Sequence, residues 1–255
     1  SQEIEKLAES GPKRDRMLYR MEEGAIKRLQ NDFEGSIRAI SLAGDFYEKW
    51  FGVHLQSQTK ISEELASTIG SKEWKPYKSR VYERVMLRVY QALNYLQLGK
   101  EGQARAEIFK IRQAVSDAKD LWQKELDAAR ILMRESSMDL DNGLENQKEG
   151  SLYEDLLRAR SLVPSNLPDY VNPAAIYLEA PFFLHGTNEK SDLEKARFSL
   201  RELYGIYPAN PFIQEDYQQA RENRASKIPT TYIFFETGRA PVRREKRYDI
   251  PLVFF

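Results

Sequence analysis

The stretch from Val81 to Ala114, VYERVMLRVYQALNYLQLGKEGQARAEIFKIRQA, has apolar residues at helical spacing on both sides of a single Gly99-Lys100 break. Apolar residues that recur every three or four positions predict an α-helix with one buried face. A glycine directly after the last apolar position is a signal for the end of a helix. We therefore predict two helices that fold back on each other at this turn, the second of which continues to about Ser136.

The N-terminal part of the chain follows the same plan. In the segment DRMLYRMEEGAIKRLQNDFEGSIRAI, a polar turn at Asn31-Asp32 separates two runs with helical spacing. The first run begins near Asp15, and the second begins at Phe33 and is expected to extend toward Ile69. Two antiparallel helices joined by a tight turn explain this pattern.

A third helical pair is predicted by the segments NPAAIYLEAPFFLHG and DLEKARFSLRELYGIYPANP. Pro173 stands where the first turn of a helix accepts proline. Pro181 is expected to kink or end the same helix, because proline lacks the N–H that a helix interior requires. A last helix is predicted from about Pro211 to Ser226.

The period changes in the C-terminal segment TTYIFFETGRAPVRREKRYDIPLVFF, which is rich in β-branched and aromatic residues. This composition predicts strands near Tyr232–Phe235 and Arg243–Ile250, joined across a turn into a short β-hairpin. We therefore divide the chain into a helical domain, residues 1–228, and a β-strand tail, residues 229–255. Because a lone hairpin is marginally stable in water, the tail is expected to pack on the helices or to begin a longer β-rich region.

The turns at Asn31-Asp32 and Gly99-Lys100 are equivalent and lie 68 residues apart, twice the 34-residue period of tetratricopeptide repeats (TPRs). Such repeats require small residues where their two helices cross. Small or compact residues stand twelve positions apart in each pair: Gly24 and Ser36, Ala92 and Ala104, Ala196 and Pro208. The sequence thus predicts a mainly α fold, a TPR-like helical-repeat solenoid with extended helices, with an irregular helical bundle as the alternative.

The chain also resembles a family of bacterial envelope lipoproteins with degenerate TPRs and a C-terminal β-region, for which no function is established. The resemblance rests on the first two helical pairs, on NPAAIYLEAPFFL with ARFSLRELYGIYPANPFIQED, and most distinctively on IFFETGRAPVRREKRYDIPL. It implies a location in the bacterial cell envelope, on the periplasmic side of the outer membrane. It also implies a lipid anchor on a cysteine, which would have to precede Ser1 because the chain has no cysteine.

Composition excludes several classes of protein. Acidic and basic residues balance at 39 each, so the chain lacks the basic excess of a dedicated nucleic-acid binder. The absence of cysteine excludes disulfide frameworks, thiolate zinc sites and cysteine nucleophiles within these residues. No apolar run approaches the length that crosses a bilayer, so membrane association is expected only through an upstream lipid anchor.

No catalytic constellation is apparent in the sequence. His54 and His185 are isolated from any motif carboxylate or serine, and the segment DLDNGLENQKEG lacks the ligand spacing of an EF-hand. The basic run RREKR, residues 243–247, is better explained as the outward charges of an edge strand than as a nucleic-acid site. We therefore expect no cofactor, no metal and no enzymatic activity.

The remaining feature is the surface that stacked helical pairs present, which is formed by the first helix of each pair. The candidate partner-binding residues on that surface are Arg84, Arg88, Tyr95, Tyr177 and Glu179. Because Val89, Tyr90 and Leu93 occupy the corresponding helix face, a groove there would favour an apolar or aromatic ligand. The sequence accordingly predicts a non-enzymatic scaffold that binds a protein partner.

Two alternatives remain open. The chain is alternatively the helical domain of an envelope enzyme or regulator related to peptidoglycan, whose active site lies outside these residues. It is otherwise a small-molecule carrier, which would require an enclosed aromatic pocket between the helices and the tail.

Overall fold

The computed structural model describes residues 2–12, 15–56, 77, 81–135, 172–186, 190–222 and 231–234. This part of the chain is mainly helical, and the residues 231–234 have no regular secondary structure. Eight helices occur within the described ranges: α1 (Gln2–Ser10), α2 (Arg16–Leu29), α3 (Phe33–Gln56), α4 (Val81–Gln97), α5 (Glu101–Glu135), α6 (Pro173–His185), α7 (Lys190–Ile206) and α8 (Pro211–Arg221).

The two predicted turns are confirmed. Asn31 has a φ of 61°, and Gly99 has a φ of 66°, so both residues adopt the left-handed conformation that ends a helix. The backbone N–H of Lys100 donates to the carbonyl of Tyr95 at 2.8 Å, which closes the end of α4. Each turn reverses the chain within a few residues, so α3 packs on α2 and α5 packs on α4.

The long helix after Gly99 is also confirmed. α5 has 35 residues and is therefore about 50 Å long. It packs on α4, and contacts α6 and α7 as well. The predicted extension of α3 toward Ile69 lies outside the described residues beyond Gln56.

Pro181 does not end its helix, because α6 continues through this proline to His185; the predicted kink stays a prediction. Proline in a helix interior costs about 3 kcal/mol. Against this cost, eight of the thirteen residues of α6 are buried, including Ala180, Pro181 and Phe183. Packing of α6 on both sides therefore maintains a helix that the local sequence disfavours.

The first two helical pairs are joined by a buried network of polar side chains. Asn94 of α4 donates to Ser36 Oγ of α3 at 2.8 Å, and Ser36 Oγ donates to the Gly24 carbonyl of α2 at 2.7 Å. Arg28 donates to Asn94 Oδ1 at 2.7 Å. Ser36 and Asn94 are fully buried, so each of these hydrogen bonds replaces one that water would otherwise make.

The second and third helical pairs share the main hydrophobic core. Its buried members include Val89, Ile108, Leu178, Phe183 and Leu200, which come from α4, α5, α6 and α7. A smaller cluster of Ile176, Leu203, Ile206 and Ile213 packs α8 beneath α6 and α7. The third pair and α8 are therefore held together by apolar packing.

Two ion pairs join α5 to the third pair. Arg105 donates to both carboxylate oxygens of Asp192 at 2.6 Å, and Asp192 is completely buried. Arg112 donates to Glu179 at 2.7 Å and to Ser199 Oγ at 2.7 Å. The contact of Arg105 with Asp192 is bidentate, so it fixes the relative position of α5 and α7 as well as pairing their charges.

The described residues include only part of the C-terminal segment for which strands and the end of the last helix were predicted. Of the predicted strand Tyr232–Phe235, the residues 232–234 are described, and they form no strand ladder. The strand predicted at Arg243–Ile250 lies outside the described residues, as do the residues 223–226 at the predicted end of α8. The division at residues 228 and 229 therefore stays a prediction.

Candidate functional site

A cleft of about 630 Å³ lies between α6, α8 and the segment 231–234. Its walls are largely aromatic and aliphatic, with a smaller number of polar groups. The lining residues are Tyr177, Asn210, Phe212, Ile213, Glu215, Asp216, Gln219, Thr231, Tyr232, Ile233 and Phe234. This volume is within the range of ligand-binding clefts.

The start of α8 determines which side chains face the cleft. Asn210 is the N-cap of this helix, and its Oδ1 accepts hydrogen bonds from the backbone N–H groups of Phe212 and Ile213 at 3.0 and 3.3 Å. Starting the helix at this residue buries Ile213 and Asp216, three positions apart. Phe212 is left 70% exposed at the mouth of the cleft.

Asp216 is the centre of a hydrogen-bonded group of side chains at one wall of the cleft. Although only 6% of Asp216 is exposed, both its carboxylate oxygens are satisfied. Tyr177 Oη donates to Oδ2 at 2.8 Å, and Tyr232 Oη donates to Oδ1 at 3.0 Å. His185 Nε2 lies 2.8 Å from Tyr232 Oη. We call these four residues the Asp216 cluster.

The tautomer of His185 follows from this geometry. Tyr232 has one hydroxyl proton, and it donates that proton to Asp216 when the carboxyl group is ionised. The contact between His185 and Tyr232 therefore requires Nε2–H of the imidazole to donate to Tyr232 Oη. The hydroxyl groups of Tyr177 and Tyr232 and the Nε2–H of His185 thus all donate within the cluster.

Burial shifts the titration of all four side chains. It raises the pKa of Asp216, against the opposing effect of the two tyrosine hydrogen bonds. It also raises the pKa values of Tyr177 and Tyr232, and the hydrogen bond and charge of Asp216 raise both further. Burial lowers the pKa of His185. At neutral pH, both phenols and the imidazole are therefore in their uncharged forms.

Aromatic contacts support the same segment. The ring of Tyr177 lies 6.5 Å from the rings of Tyr232 and Phe234, and the His185 ring lies 5.5 Å from that of Tyr232. Such tilted and edge-on pairs contribute beyond the area that they bury. The segment 231–234 is consequently attached to α6 and α8 by side chains rather than by a β-ladder.

The structure does not place all five predicted partner-binding residues on one exposed surface, because two of them, Arg84 and Glu179, are buried. Tyr177 lines the cleft. Arg84 is buried, where it pairs with Asp117 and lies over the ring of Tyr47.

The other three residues differ in burial. Glu179 is buried and pairs with Arg112, whereas Arg88 is half-buried and donates to Glu107 at 3.2 Å. Tyr95 is half-buried near the end of α4. The burial of Arg84 and Glu179 differs from the exposed position expected of them, because each finds an oppositely charged partner on a neighbouring helix. The partner-binding role of the five residues stays a prediction.

The sequence did not predict the Asp216 cluster. His185 was expected to be isolated, but it contacts Tyr232, which is 47 residues further along the chain. Asp216 and Tyr232 were not singled out at all. The available signal was compositional, namely aromatic residues in the tail together with Tyr177 on α6.

The cleft also differs from the enclosed pocket that a carrier was expected to need. Ile233 is 86% exposed and Phe212 is 70% exposed. The cleft therefore opens to solvent along an apolar rim. Within the described ranges, no group of three or more His, Cys, Asp or Glu side chains is arranged as metal ligands.

Comparisons with known proteins add no assignment. Neither the protein-family models, nor the curated proteins, nor the solved structures gave a significant match to this chain. Among the helices that the structure describes, none combines the length and the apolar content needed to cross a membrane.

Proposed function

We propose that α2–α3, α4–α5 and α6–α7 are successive units of a TPR-like solenoid. Small residues at the predicted crossings support this proposal, because Ser36, Ala92, Ala104 and Ala196 are all fully buried. The order of packing supports it as well, since α3 packs on α4, and α4 and α5 pack on α6. We also propose that the tail, residues 229–255, forms the predicted β-hairpin.

Small-angle scattering tests this architecture. A compact domain of this length has a radius of gyration of about 18 Å. An elongated array of helical pairs is expected to exceed that value. A scattering curve that fits a compact body of about 18 Å would contradict the solenoid and favour an irregular bundle.

We propose that the protein is a non-enzymatic interaction module, which binds an extended aromatic segment of a partner protein in the cleft beside α8. One observation carries this proposal: an aromatic segment of the protein itself, residues 231–234, packs against α6 and α8 and forms one wall of the cleft. That segment is attached through Tyr232 and Phe234, whose rings lie near Tyr177.

The cleft has space for a partner segment beside residues 231–234. The cleft has a volume of about 630 Å³ with the segment in place. Phe212 and Ile233 expose most of their apolar surface at its rim. Burial of apolar surface contributes about 25 cal/mol per Å², so a partner that covers this rim gains from both side chains.

The location is proposed on the family resemblance. We propose that the protein acts in the bacterial cell envelope, where an upstream lipidated cysteine would anchor it. Fractionation of the source bacterium with an antibody against α5 tests this location. Recovery of the full-length protein in the soluble cytoplasmic fraction would contradict it.

A peptide-binding experiment tests the function. The probe is a fluorescent peptide with the sequence of residues 230–237, TTYIFFET, and the control peptide has alanine at its three aromatic positions. The proteins are the complete chain and its Tyr232→Ala variant. The variant is expected to bind the probe more tightly, because its own segment lies against α6 and α8 less often and leaves that surface to the probe.

Matched controls make the result specific. Leu29→Ala removes a mostly exposed apolar side chain of α2 that does not line the cleft, so it should leave the affinity for the probe unchanged. Phe212→Ala should weaken binding of the probe. Equal binding of both peptides, or equal binding by the original chain and Tyr232→Ala, would contradict an aromatic peptide site.

A small-molecule carrier is the second candidate, and the volume and aromatic lining of the cleft favour it. Native mass spectrometry of the purified chain distinguishes the two functions. A bound small molecule that is lost in Phe212→Ala, together with no binding of the probe peptide, would support the carrier.

A further inference from the structure

A second surface lies on the other side of α8, between α8 and α7. It contains a cleft of about 270 Å³, lined by Glu194, Arg197, Phe198, Arg201, Tyr217 and Arg221. On the far side of Phe198 is a further cleft of about 240 Å³, whose lining includes Arg112 and Lys119. Phe198 is therefore a ridge between two depressions with basic residues in both.

Helical spacing brings the residues of this surface together. Phe198 and Arg201 are three positions apart on α7, and Tyr217 and Arg221 are four positions apart on α8, so each pair lies on one helix face. Arg197 joins the two helices by donating to the carbonyl of Ala220 at 2.7 Å. The guanidinium group of Arg197 is thus part of the structure of the surface.

Unlike Arg197, the other two arginines of this surface, Arg201 and Arg221, each lie beside an aromatic ring. The guanidinium carbon of Arg201 lies 5.6 Å from the Phe198 ring centroid, and that of Arg221 lies 5.8 Å from the Tyr217 ring centroid. Both arginines are exposed. In the part of the chain that the structure describes, neither guanidinium group forms an ion pair or a side-chain hydrogen bond. Both groups keep their donors available while a ring restricts their orientation.

The aromatic residues of this surface are accessible as well. Phe198 is 49% exposed and Tyr204 is 39% exposed. The rings of Tyr204 and Tyr217 lie 5.5 Å apart. We call the residues Phe198, Arg201, Tyr204, Tyr217 and Arg221 the arginine–aromatic face.

We propose that the arginine–aromatic face binds an acidic segment of a partner protein, in which carboxylates alternate with aromatic residues. Guanidinium groups bind carboxylates through paired hydrogen bonds, which are stronger than neutral ones. The exposed rings of Phe198 and Tyr204 provide contacts for aromatic side chains between those carboxylates. The proposal is independent of the aromatic-peptide cleft, because the two surfaces involve opposite sides of α8.

An acidic peptide fits this face better than a nucleic acid does. Glu194 and Glu202 lie among the basic residues, and Glu194 pairs with Arg197. The closely spaced phosphates of a nucleic acid would approach these carboxylates. The carboxylates of the proposed peptide are further apart, so they can contact the arginines without approaching Glu194 and Glu202.

Fluorescence anisotropy with the complete chain tests the proposal. The probe is a labelled twelve-residue peptide that repeats Glu-Gly-Tyr, and the comparison peptide repeats Lys-Gly-Tyr. The double variant Arg201→Glu, Arg221→Glu is expected to raise the Kd for the acidic probe about tenfold or more. The neutral double variant to Gln is expected to raise it less, and added salt should weaken binding to the original chain.

The matched control carries the same change of net charge elsewhere. Lys6→Glu with Arg38→Glu changes two exposed basic residues on α1 and α3, and should leave the Kd within about twofold of the original, because screening weakens charges that are far from the ligand. Equal weakening by this control would overturn the proposal, as would equal binding of the lysine peptide. Tighter binding of single-stranded oligothymidylate than of the acidic probe would also overturn it.

Discussion

Tyr232→Phe removes a single hydroxyl group through which the segment 231–234 is attached to the helices. That hydroxyl donates to Asp216 at 3.0 Å and accepts from His185 at 2.8 Å. A hydrogen bond to a charged group contributes about 1.5–3 kcal/mol and a neutral one about 0.5–1.5 kcal/mol. Tyr232 is half-buried, so water replaces part of each bond in the variant. We therefore expect the attachment to lose about 1–2 kcal/mol.

A loss of this size lowers the ratio of attached to detached segment about 5–30-fold. Fluorine-19 NMR measures that ratio when 4-fluorophenylalanine is incorporated at Phe234 alone. In the attached segment this ring lies 6.5 Å from Tyr177, so its resonance should differ from that of the denatured chain. Exchange measurements should then show a larger detached population in Tyr232→Phe.

Tyr204→Phe is the matched control, because Tyr204 is exposed on α7 and its hydroxyl has no hydrogen-bond partner among the described residues. This variant should leave the fluorine spectrum of Phe234 unchanged. If Tyr232→Phe changes the population ratio by less than about twofold, or if the control changes it equally, the Asp216 cluster does not hold the segment.

Three further predictions concern stability and pH. Asp192→Asn should lower the free energy of unfolding by about 2–4 kcal/mol in urea titrations, because the Asp192 carboxylate is completely buried and pairs with the half-buried Arg105 and with Lys195; an unchanged midpoint would contradict this role. Gly24→Ala would place a Cβ 2.6 Å from Ile40 Cγ1, so it should cost about 1–3 kcal/mol, and a melting temperature that does not fall would contradict the close helix crossing. Burial lowers the pKa of His185 below its ordinary value of 6.5. The stability that its neutral form contributes is therefore present above pH 6.5 and is lost as the pH falls through the lowered pKa. Fluorine NMR of the segment should show this loss in the original chain and not in His185→Gln, and a step that persists in the variant would assign the pH dependence to another group.

The helical turns were predictable because their signals are local. Gly99 has the positive φ that its place at a helix end predicts, and the helical spacing after it continues to Glu135, where α5 ends. Neither feature depends on residues far along the chain. The end of α6 was not predictable in this way, since burial of Ala180 and Phe183 outweighs the local effect of Pro181.

The candidate site was much harder to predict from the sequence than the helices were. Tyr177 and Asp216 are 39 residues apart, and Asp216 and Tyr232 are 16 residues apart. No helical or strand period relates such positions. Tyr177 was selected for its place on the first helix of the third pair, and its partners are known only from the fold.

The burial of charged residues could not be predicted for the same reason, because it depends on residues far apart in the chain. Arg84 and Glu179 were expected on an exposed face, because isolated charges on a helix usually face water. Their partners, Asp117 and Arg112, are 33 and 67 residues away. Pairing across helices makes these burials tolerable, and that pairing depends on how the helices stack.

The position of α8 has a consequence for how two ligands would influence each other. This helix has only eleven residues, and it is a wall of both the aromatic cleft and the arginine–aromatic face. A ligand that displaces α8 on one side necessarily alters the spacing available on the other. Thermodynamic reciprocity then requires each ligand to change the affinity of its counterpart by an identical factor. A short helix that contacts both ligands would in this way couple their binding.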